Sequence, residues 1–306
     1  MTSRRALMLG ITSGVLAAVS ACAATATTGT VGGAVPDEQQ APPRAAPQGP
    51  ALPGQDASGP SQPAPVPPAA VQPPSKAQIV SEFAGLLPSQ WGLQVTGVVT
   101  RSPAHQAAIT LDACGGPGGS GVDQQLLSTL RKLNVPATLF VNERWIQANP
   151  GLTAELARDP LFELANHGFR HRPLSVNGRS AYGIAGTADV GQVYDEVMEN
   201  QKLLQDIAGH APRFFRTGTA YYDDTAAAIT RRLGLVPVNF SINGDGGATF
   251  AASIVASEVG KARSGDIIIA HFNRPGSGTA AGFAQALPRL LGQGAAFATL
   301  GAVLPL

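Results

Sequence analysis

The feature that most restricts the fold is a regular alternation of short apolar runs with amphipathic helical runs through the C-terminal two thirds of the chain. Runs typical of strands lie at residues 107–111, 136–141, 162–165, 213–216, 235–240, 266–271 and 296–300. Runs with helical spacing of apolar residues lie at 76–87, 123–133, 190–207, 226–233 and 283–291. Such alternation predicts a parallel α/β fold. Three consecutive isoleucines at 267–269 fit a sheet that is buried on both faces.

Length and charge set outer limits on the function. The chain has 306 residues, of which 44% are hydrophobic, and this is enough for one large domain with additional segments. The net charge of +1 gives no basic surface for a nucleic acid, so we expect no nucleic-acid partner.

The first 22 residues are typical of an export signal. Arg4 and Arg5 precede an apolar run at 6–19, which is too short to span a membrane. Residues 19–22, Val-Ser-Ala-Cys, resemble a bacterial lipobox, which predicts a lipid anchor at Cys22 and a membrane-anchored lipoprotein on the extracytoplasmic side. Ordinary signal cleavage with an incidental Cys22 is the alternative, and the arginine pair leaves both general and twin-arginine export open.

Residues 23–75 form a different kind of segment, rich in Ala, Pro, Gly, Thr and Gln and free of aromatic residues. Such a composition predicts a disordered linker, because it cannot bury enough apolar surface to offset the entropy of ordering. The predicted catalytic domain is 76–306.

Polar residues stand where several predicted strands end. Parallel strands place their C-terminal ends on one rim, where α/β proteins build active sites. A carboxylate and two histidines four positions apart on that rim suit a divalent metal and a water molecule. The residues are Asp112, His167, His171, Arg216 and His271, with Asp245 following the strand at 235–240.

Five short segments in this order resemble the motifs of the polysaccharide deacetylases, the NodB-homology group of carbohydrate esterases. The resemblance covers roughly residues 105–301. The segments are Thr-Leu-Asp-Ala-Cys at 110–114, Asn-His-Gly-Phe-Arg-His at 166–171, Arg-Thr-Gly-Thr-Ala-Tyr at 216–221, the stretch 238–245, and Ile-Ile-Ile-Ala-His at 267–271. The resemblance implies a distorted (β/α) barrel of about seven parallel strands, with its site at the C-terminal end of the strands.

The resemblance also implies a role for each matching residue. Asp112 would be the general base, held by Arg216. His271 would be the general acid, oriented by Asp245. His167 and His171 would bind the metal, with Asp112 as a candidate third ligand. A backbone N–H near Tyr221 would help to stabilise the oxyanion.

One position departs from the family pattern. Where the family has a second, metal-binding aspartate, this chain has Ala113, so the identity of the metal and its third ligand are open, with zinc favoured. Cys114 is interpreted as a small packing residue beside glycines, and a zinc ligand is its alternative role.

These residues predict a metal-dependent hydrolase that removes acetyl groups from N-acetylated cell-envelope polysaccharide, either peptidoglycan or a chitin-like glycan. Two alternatives stay open. One is a non-catalytic glycan-binding lipoprotein. The alanine at position 113 favours it, and so would an Asp112 that is held permanently in a buried salt bridge. The other is a hydrolase of non-carbohydrate amides or esters.

Taken one at a time, the site residues also have structural interpretations. Asp112 could instead be a helix N-cap, and the two histidines could be ordinary loop residues. Aromatic residues make up only 6% of the chain, and no aromatic platform for sugars is evident.

Overall fold

A computed structural model describes residues 72–305. The predictions for the export signal, for Cys22 and for most of the linker lie outside these residues. The helices are α1 (Lys76–Glu82), α2 (Gln124–Leu133), α3 (Glu143–Ala148), α4 (Pro150–Leu156), α5 (Val190–Ala208), α6 (Asp224–Arg232), α7 (Ala252–Val259), α8 (Thr279–Gly292) and α9 (Leu300–Val303). The strands are β1 (Trp91–Gly92), β2 (Ala108–Ala113), β3 (Ala137–Val141), β4 (Phe162–Asn166), β5 (Phe214–Phe215), β6 (Tyr222–Asp223), β7 (Val236–Pro237), β8 (Ile242–Asn243) and β9 (Ile267–His271). Among these helices, none is both long and apolar enough to span a lipid bilayer.

Seven strands form one curled parallel sheet in the order β7-β5-β4-β3-β2-β9-β8. Helices α2 to α8 cover its outer face, and the distorted (β/α) barrel predicted from the sequence is confirmed. Strand β2 lies near the middle, and its Asp112 is in register with Phe140 of β3 and His271 of β9. The predicted rim residues therefore start from neighbouring strands.

The two faces of the sheet have different cores. On β2, Ile109, Leu111 and Ala113 point outward into a large apolar cluster with the surrounding helices. Ala108 and Phe140 belong instead to a second cluster on the inner face. Because side chains alternate along a strand, the inner face of β2 also carries Thr110 and Asp112. This alternation decides which residues reach the site.

Aspartates begin three of the helices. Asp123 caps α2 by accepting a hydrogen bond from the N–H of Leu126 at 3.0 Å. Asp189 and Asp223 cap α5 and α6 in the same way. The alternative role of Asp112 as a helix N-cap is thus wrong, since the following helix has its own cap eleven residues later.

Two predicted features differ in the structure. Residues 296–300 form no strand; they contribute one isolated bridge, Phe297 with Ala107, and then helix α9. The N–H of Leu300 donates to Thr138 Oγ1 at 2.9 Å, so this apolar run turns beneath the inner face of the sheet instead of joining it. In addition, β1 pairs antiparallel with β6 in a small second sheet.

The segment before β2 covers the edge strand β7. The N–H of Val99 donates to the carbonyl of Pro237 at 2.9 Å, and the carbonyl of Val99 accepts from the N–H of Asn239 at 2.7 Å. Arg101 makes a bridge and an ion pair with Asp266, which directly precedes β9, near the opposite edge of the sheet. Upstream, Ile79 of α1 packs in the apolar cluster of α5 and α6.

Candidate active site

Most site residues lie at the C-terminal end of a strand or just after it. Their side chains point to the inner face of the sheet, because side chains alternate between the two faces along a strand. Asp112 lies on β2, and Cys114 follows two residues later on the same face. His167 follows β4 and Arg216 follows β5, while His271 ends β9. Sequence spacing of two along parallel strands thus brings the chemistry to one place.

Asp112 and Arg216 form a buried ion pair. Arg216 Nη1 donates to Asp112 Oδ1 at 2.7 Å, and the side chains are 0% and 4% exposed. The guanidinium also donates to the carbonyls of Val238 and Asn239 and lies over the ring of Phe140 at 4.2 Å. The second carboxylate oxygen, Oδ2, lies 3.7 Å from His167 Nε2. One oxygen of Asp112 is therefore fixed, and the other faces the histidines.

The proton of His167 is placed by a backbone contact. His167 Nδ1 lies 3.0 Å from the carbonyl oxygen of Arg216. Since a carbonyl only accepts, Nδ1 carries the hydrogen, and the lone pair of Nε2 faces Asp112 and Cys114. Burial disfavours the charged imidazole, but the charge of Asp112 and the contact with Cys114 raise the pKa of His167.

His171 is held in a left-handed backbone conformation, with φ of 61°. The buried carboxylate of Glu196 holds the backbone on both sides of His171. It accepts hydrogen bonds from the N–H groups of Arg170 and Arg172 at 3.0 and 3.2 Å. On the other side, a Cβ added to Gly218 would lie 2.4 Å from backbone and ring atoms of His171. The ring of His171 meets that of His167 edge to face, with centroids 4.9 Å apart.

Cys114 lies among the histidines, which corrects its interpretation as a packing residue. Its Sγ is 3.8 Å from His167 Nε2. Burial by itself would raise the pKa of the thiol. The electrostatic attraction of His171 and the approach of His167 and His271 instead lower the pKa of Cys114 well below its usual value. The surroundings favour a thiolate, which is the form that binds metals.

Cys114, His167 and His171 fit a metal. Their ligand atoms all lie within 4.8 Å of one another. Two ligands on one tetrahedral zinc, at bond lengths of about 2.3 Å to sulfur and 2.0 Å to nitrogen, stand about 3.5 Å apart, close to the 3.8 Å seen for Cys114 and His167. His171 Nε2 is buried and has no hydrogen-bond partner within residues 72–305. Two imidazoles and a thiolate are a donor set that suits zinc.

His271 is backed by a fully buried carboxylate. His271 Nδ1 lies 2.9 Å from Asp245 Oδ1, and its backbone N–H donates to Asp245 Oδ2 at 2.7 Å. Thr279 Oγ1 and the N–H of Gly247 also donate to Asp245. Burial opposes the charge on His271, but Asp245 outweighs it and raises the pKa of His271 well above its usual value. The imidazole is thus suited to donate a proton.

Ala113 faces away from the site. It is 0% exposed and belongs to the outer apolar cluster, with Leu126 and Trp145. A carboxylate at this position would be buried among apolar side chains. The side chain of this loop that lies among the candidate metal ligands is instead Cys114, one residue later on the inner face.

Tyr221 lies beside the site without joining the cluster. Its N–H donates to Thr219 Oγ1 at 3.4 Å, so the structure gives this N–H a partner in its own loop. Its ring packs against Trp91, with centroids 5.6 Å apart, and against Tyr182 at 5.4 Å. Three aromatic rings that are distant in sequence, those of Trp91, Tyr182 and Tyr221, thus lie together.

Sequence reasoning did not find Glu196, Gly218 or the aromatic neighbours of Tyr221. Glu196 is an acidic residue at an inward position of α5, beside Val193 and Val197, and that mismatch was a usable signal. Gly218 is one of 36 glycines, and only the contact with His171 shows its importance. No sequence pattern links residues 91, 182 and 221.

Comparison with known sequences identifies relatives. The family described as polysaccharide deacetylase matches residues 100–238. A peptidoglycan-N-acetylglucosamine deacetylase of Listeria monocytogenes is 26% identical over 215 residues, which are 70% of this chain and 41% of the relative. A bifunctional xylanase/deacetylase of Pseudobutyrivibrio xylanivorans is 25% identical over 63% of this chain and 29% of the relative. The chain spans less than half the length of these curated relatives.

Solved structures share the fold. A family 4 carbohydrate esterase pseudoenzyme from Bacillus anthracis has a TM-score of 0.56 at 16% identity, with 69% of this chain and 70% of that chain covered. A family 4 carbohydrate esterase of Bacillus subtilis has a TM-score of 0.55 at 17% identity, with 76% and 92% covered. Together with the ordered motifs and the curled seven-stranded sheet, these matches confirm the resemblance of this chain to the polysaccharide deacetylases that was seen in the sequence.

Proposed function

We propose that the chain is a metal-dependent hydrolase that removes acetyl groups from N-acetylated cell-envelope polysaccharide, of the peptidoglycan or chitin-like type. The proposal rests on one observation: two buried pairs of oppositely charged or hydrogen-bonded side chains lie beside the cluster of Cys114, His167 and His171. Asp112 is backed by Arg216 and faces His167, and His271 is backed by Asp245 and approaches Cys114. The names of the curated relatives support the substrate class.

We assign the metal to Cys114, His167 and His171, and zinc is the metal that this donor set favours. A bound zinc ion would polarise the acetyl carbonyl and make water easier to deprotonate. Arg216 fixes Asp112 so that its free Oδ2 faces the cluster.

The side chains provide a route for protons. Asp112 Oδ2 would accept the proton of the attacking water, while Arg216 holds the other carboxylate oxygen in place. His271, whose pKa is raised, would donate a proton to the leaving nitrogen. A base and an acid on separate strands can act in sequence on one amide.

A second candidate is a non-catalytic glycan-binding protein on the same scaffold. The observation that favours it is the burial of Asp112, which is 2% exposed and holds Arg216 in a salt bridge. The free Oδ2 toward His167 is the feature that favours catalysis over this alternative. A hydrolase of small non-carbohydrate amides or esters is the third candidate.

Acetate release separates these candidates. The purified protein, with its metal content measured, is incubated with peptidoglycan, with chitooligosaccharides and with small acetylated amides and esters. We expect release from a glycan that falls about 10²–10⁴-fold in His271→Ala. His105→Ala is the matched control, since His105 lies before β2, apart from the site. A protein that binds glycan but releases no acetate with any metal contradicts the hydrolase.

Metal binding is tested without turnover. In the cobalt(II)-loaded protein, thiolate ligation by Cys114 gives an intense near-ultraviolet charge-transfer band. Cys114→Ser should remove that band and weaken zinc binding, while Cys114→Asp should keep a ligand and remove only the band. An unchanged band in Cys114→Ser would show that the metal lies elsewhere.

Anchoring is a separate proposal. We infer from the lipobox-like residues 19–22 that Cys22 carries lipid and holds the exported domain at the membrane. Cys22→Ser should move the protein from the membrane fraction to the soluble fraction, and unchanged fractionation would contradict the anchor.

A further inference from the structure

An aromatic corner lies beside the candidate active site, built from three distant parts of the chain. Trp91 comes from β1, Tyr221 from the loop before β6, and Tyr182 from the tip of the loop at 178–185. The rings of Tyr182 and Tyr221 meet at 90°, and Trp91 extends the Tyr221 side at a tilt of 45°. The guanidinium of Arg179 lies over Trp91 at 5.2 Å. The aromatic corner is defined by these four residues.

The corner is connected to the metal-binding loop. Gly218 touches His171, and Thr217 Oγ1 donates to the carbonyl of Tyr221 at 3.2 Å. The N–H of Leu174, three residues after His171, donates to the same carbonyl at 3.0 Å. Short, hydrogen-bonded segments thus join Tyr221 to His171 on both sides.

Tyr182 is displayed to solvent in a conformation that is unfavourable for a tyrosine. Its side chain is 74% exposed, and its φ is 54°. A bulky residue in the left-handed region is a genuine outlier, and such strain clusters at ligand sites. A small polar residue would fit this turn with less strain, and the contact that the structure shows for the ring is with Tyr221.

We propose that the aromatic corner is a subsite for a pyranose residue of the glycan, next to the sugar whose acetyl group reaches the cluster. The C–H face of the sugar would stack on Tyr182, and its hydroxyl groups would meet the hydroxyl of Tyr221 and the guanidinium of Arg179. Rigid aromatic rings supply contact area with little loss of conformational freedom, and nearby polar groups fix orientation. This inference rests on the proposed glycan substrate.

Binding is measured by fluorescence in the metal-loaded full chain carrying His271→Ala, so that the probe is not consumed. The probes are N-acetylglucosamine and its β-1,4 tetramer. Trp91 reports on the corner, since the other tryptophan, Trp145, is fully buried in the outer core. Asp245 keeps its bonds to Thr279 and Gly247 in this background, so the fold should survive.

The test variant is Tyr182→Asn, because asparagine tolerates the left-handed conformation and leaves the loop its shape. We expect about tenfold weaker binding of the tetramer, the loss of roughly one stacking contact, with monomer binding and metal content unchanged. Ile184→Ala is the control, an exposed apolar residue in the same loop, and should bind both probes like its parent.

The outcomes separate this inference from the hydrolase. Tetramer binding that is unchanged in Tyr182→Asn, or absent in the parent, overturns the subsite. Tetramer binding that depends on Tyr182 supports it, even if the chain with His271 intact releases no acetate; that result contradicts the hydrolase alone. Acetate release together with Tyr182-independent binding contradicts the subsite alone.

Discussion

Replacing Asp112 by asparagine should destabilise the domain as well as stop turnover. The change leaves the guanidinium of Arg216, which is 0% exposed, without a counter-charge, although the amide oxygen can still accept one hydrogen bond. Removing one partner of a buried pair costs about 3–5 kcal/mol. Because the hydrogen bond is kept, we expect the lower end, about 3 kcal/mol. At about 2–4 °C per kcal/mol for a domain of this size, the melting temperature should fall by roughly 6–12 °C.

The double variant Asp112→Asn with Arg216→Met tests this reasoning. It removes both charges and loses the hydrogen bonds from Arg216 to the carbonyls of Val238 and Asn239, at about 0.5–1.5 kcal/mol each. It should therefore be more stable than the two single changes predict by addition, by about 2 kcal/mol or more.

The assay is urea or thermal unfolding followed by circular dichroism, run with zinc and with chelator, since a bound ligand adds stability. If Arg216→Met alone is insoluble, a soluble double variant carries the same conclusion. A melting temperature that is unchanged or raised in Asp112→Asn, or strictly additive effects, would refute the structural role of the pair. The loss of activity in Asp112→Asn is informative about catalysis only at a temperature where the variant is folded.

Three further changes test how the site is built. Ala113→Asp should cost about 4 kcal/mol or more and bind no additional metal, because the carboxylate enters the outer core; thermal melts and metal stoichiometry check this, and a gain in metal affinity would contradict it. Glu196→Ala should weaken zinc binding about 10–100-fold by freeing the loop of His171, whereas Glu196→Gln should retain most of it; chelator competition measures both. Gly218→Ala should reduce metal affinity, because its Cβ would collide with the backbone of His171; Gly151→Ala, with open space around it, is the control, and equal effects would contradict the close-contact argument.

Strand periodicity in the sequence was sufficient to place residues on the inner face of the sheet, but it did not show that Cys114 is more than a packing residue. Asp112, Cys114 and His271 stand on one face because two-residue spacing along a parallel strand keeps side chains on the same side. The same rule explains why the side chain of Ala113 points away from the site, since odd and even positions of β2 face different cores. The chemistry of the ordered motifs supplied the remaining assignments, and the family was recognised from them.

Tertiary contacts between distant residues could not be derived in this way. Trp91 meets Tyr221 only because two strands of two residues each pair across more than a hundred positions. Residues 296–300 have the apolar pattern of a strand, but they form a single bridge and then lead into helix α9, which begins at Leu300. Local apolar pattern shows that a segment is buried, and the neighbours it finds decide whether it becomes a strand or a turn.

The segment that covers β7 has a consequence for how the chain can be shortened. The family match begins at residue 100, yet the carbonyl and N–H of Val99 pair with the edge of the sheet, and Leu93 accepts from Asn239 Nδ2. A chain cut at residue 100 would expose these unpaired backbone groups and the apolar face beneath α1, which invites edge-to-edge association. We therefore expect residues 76–99 to protect this edge from association with other chains, and a working minimal domain to begin before α1.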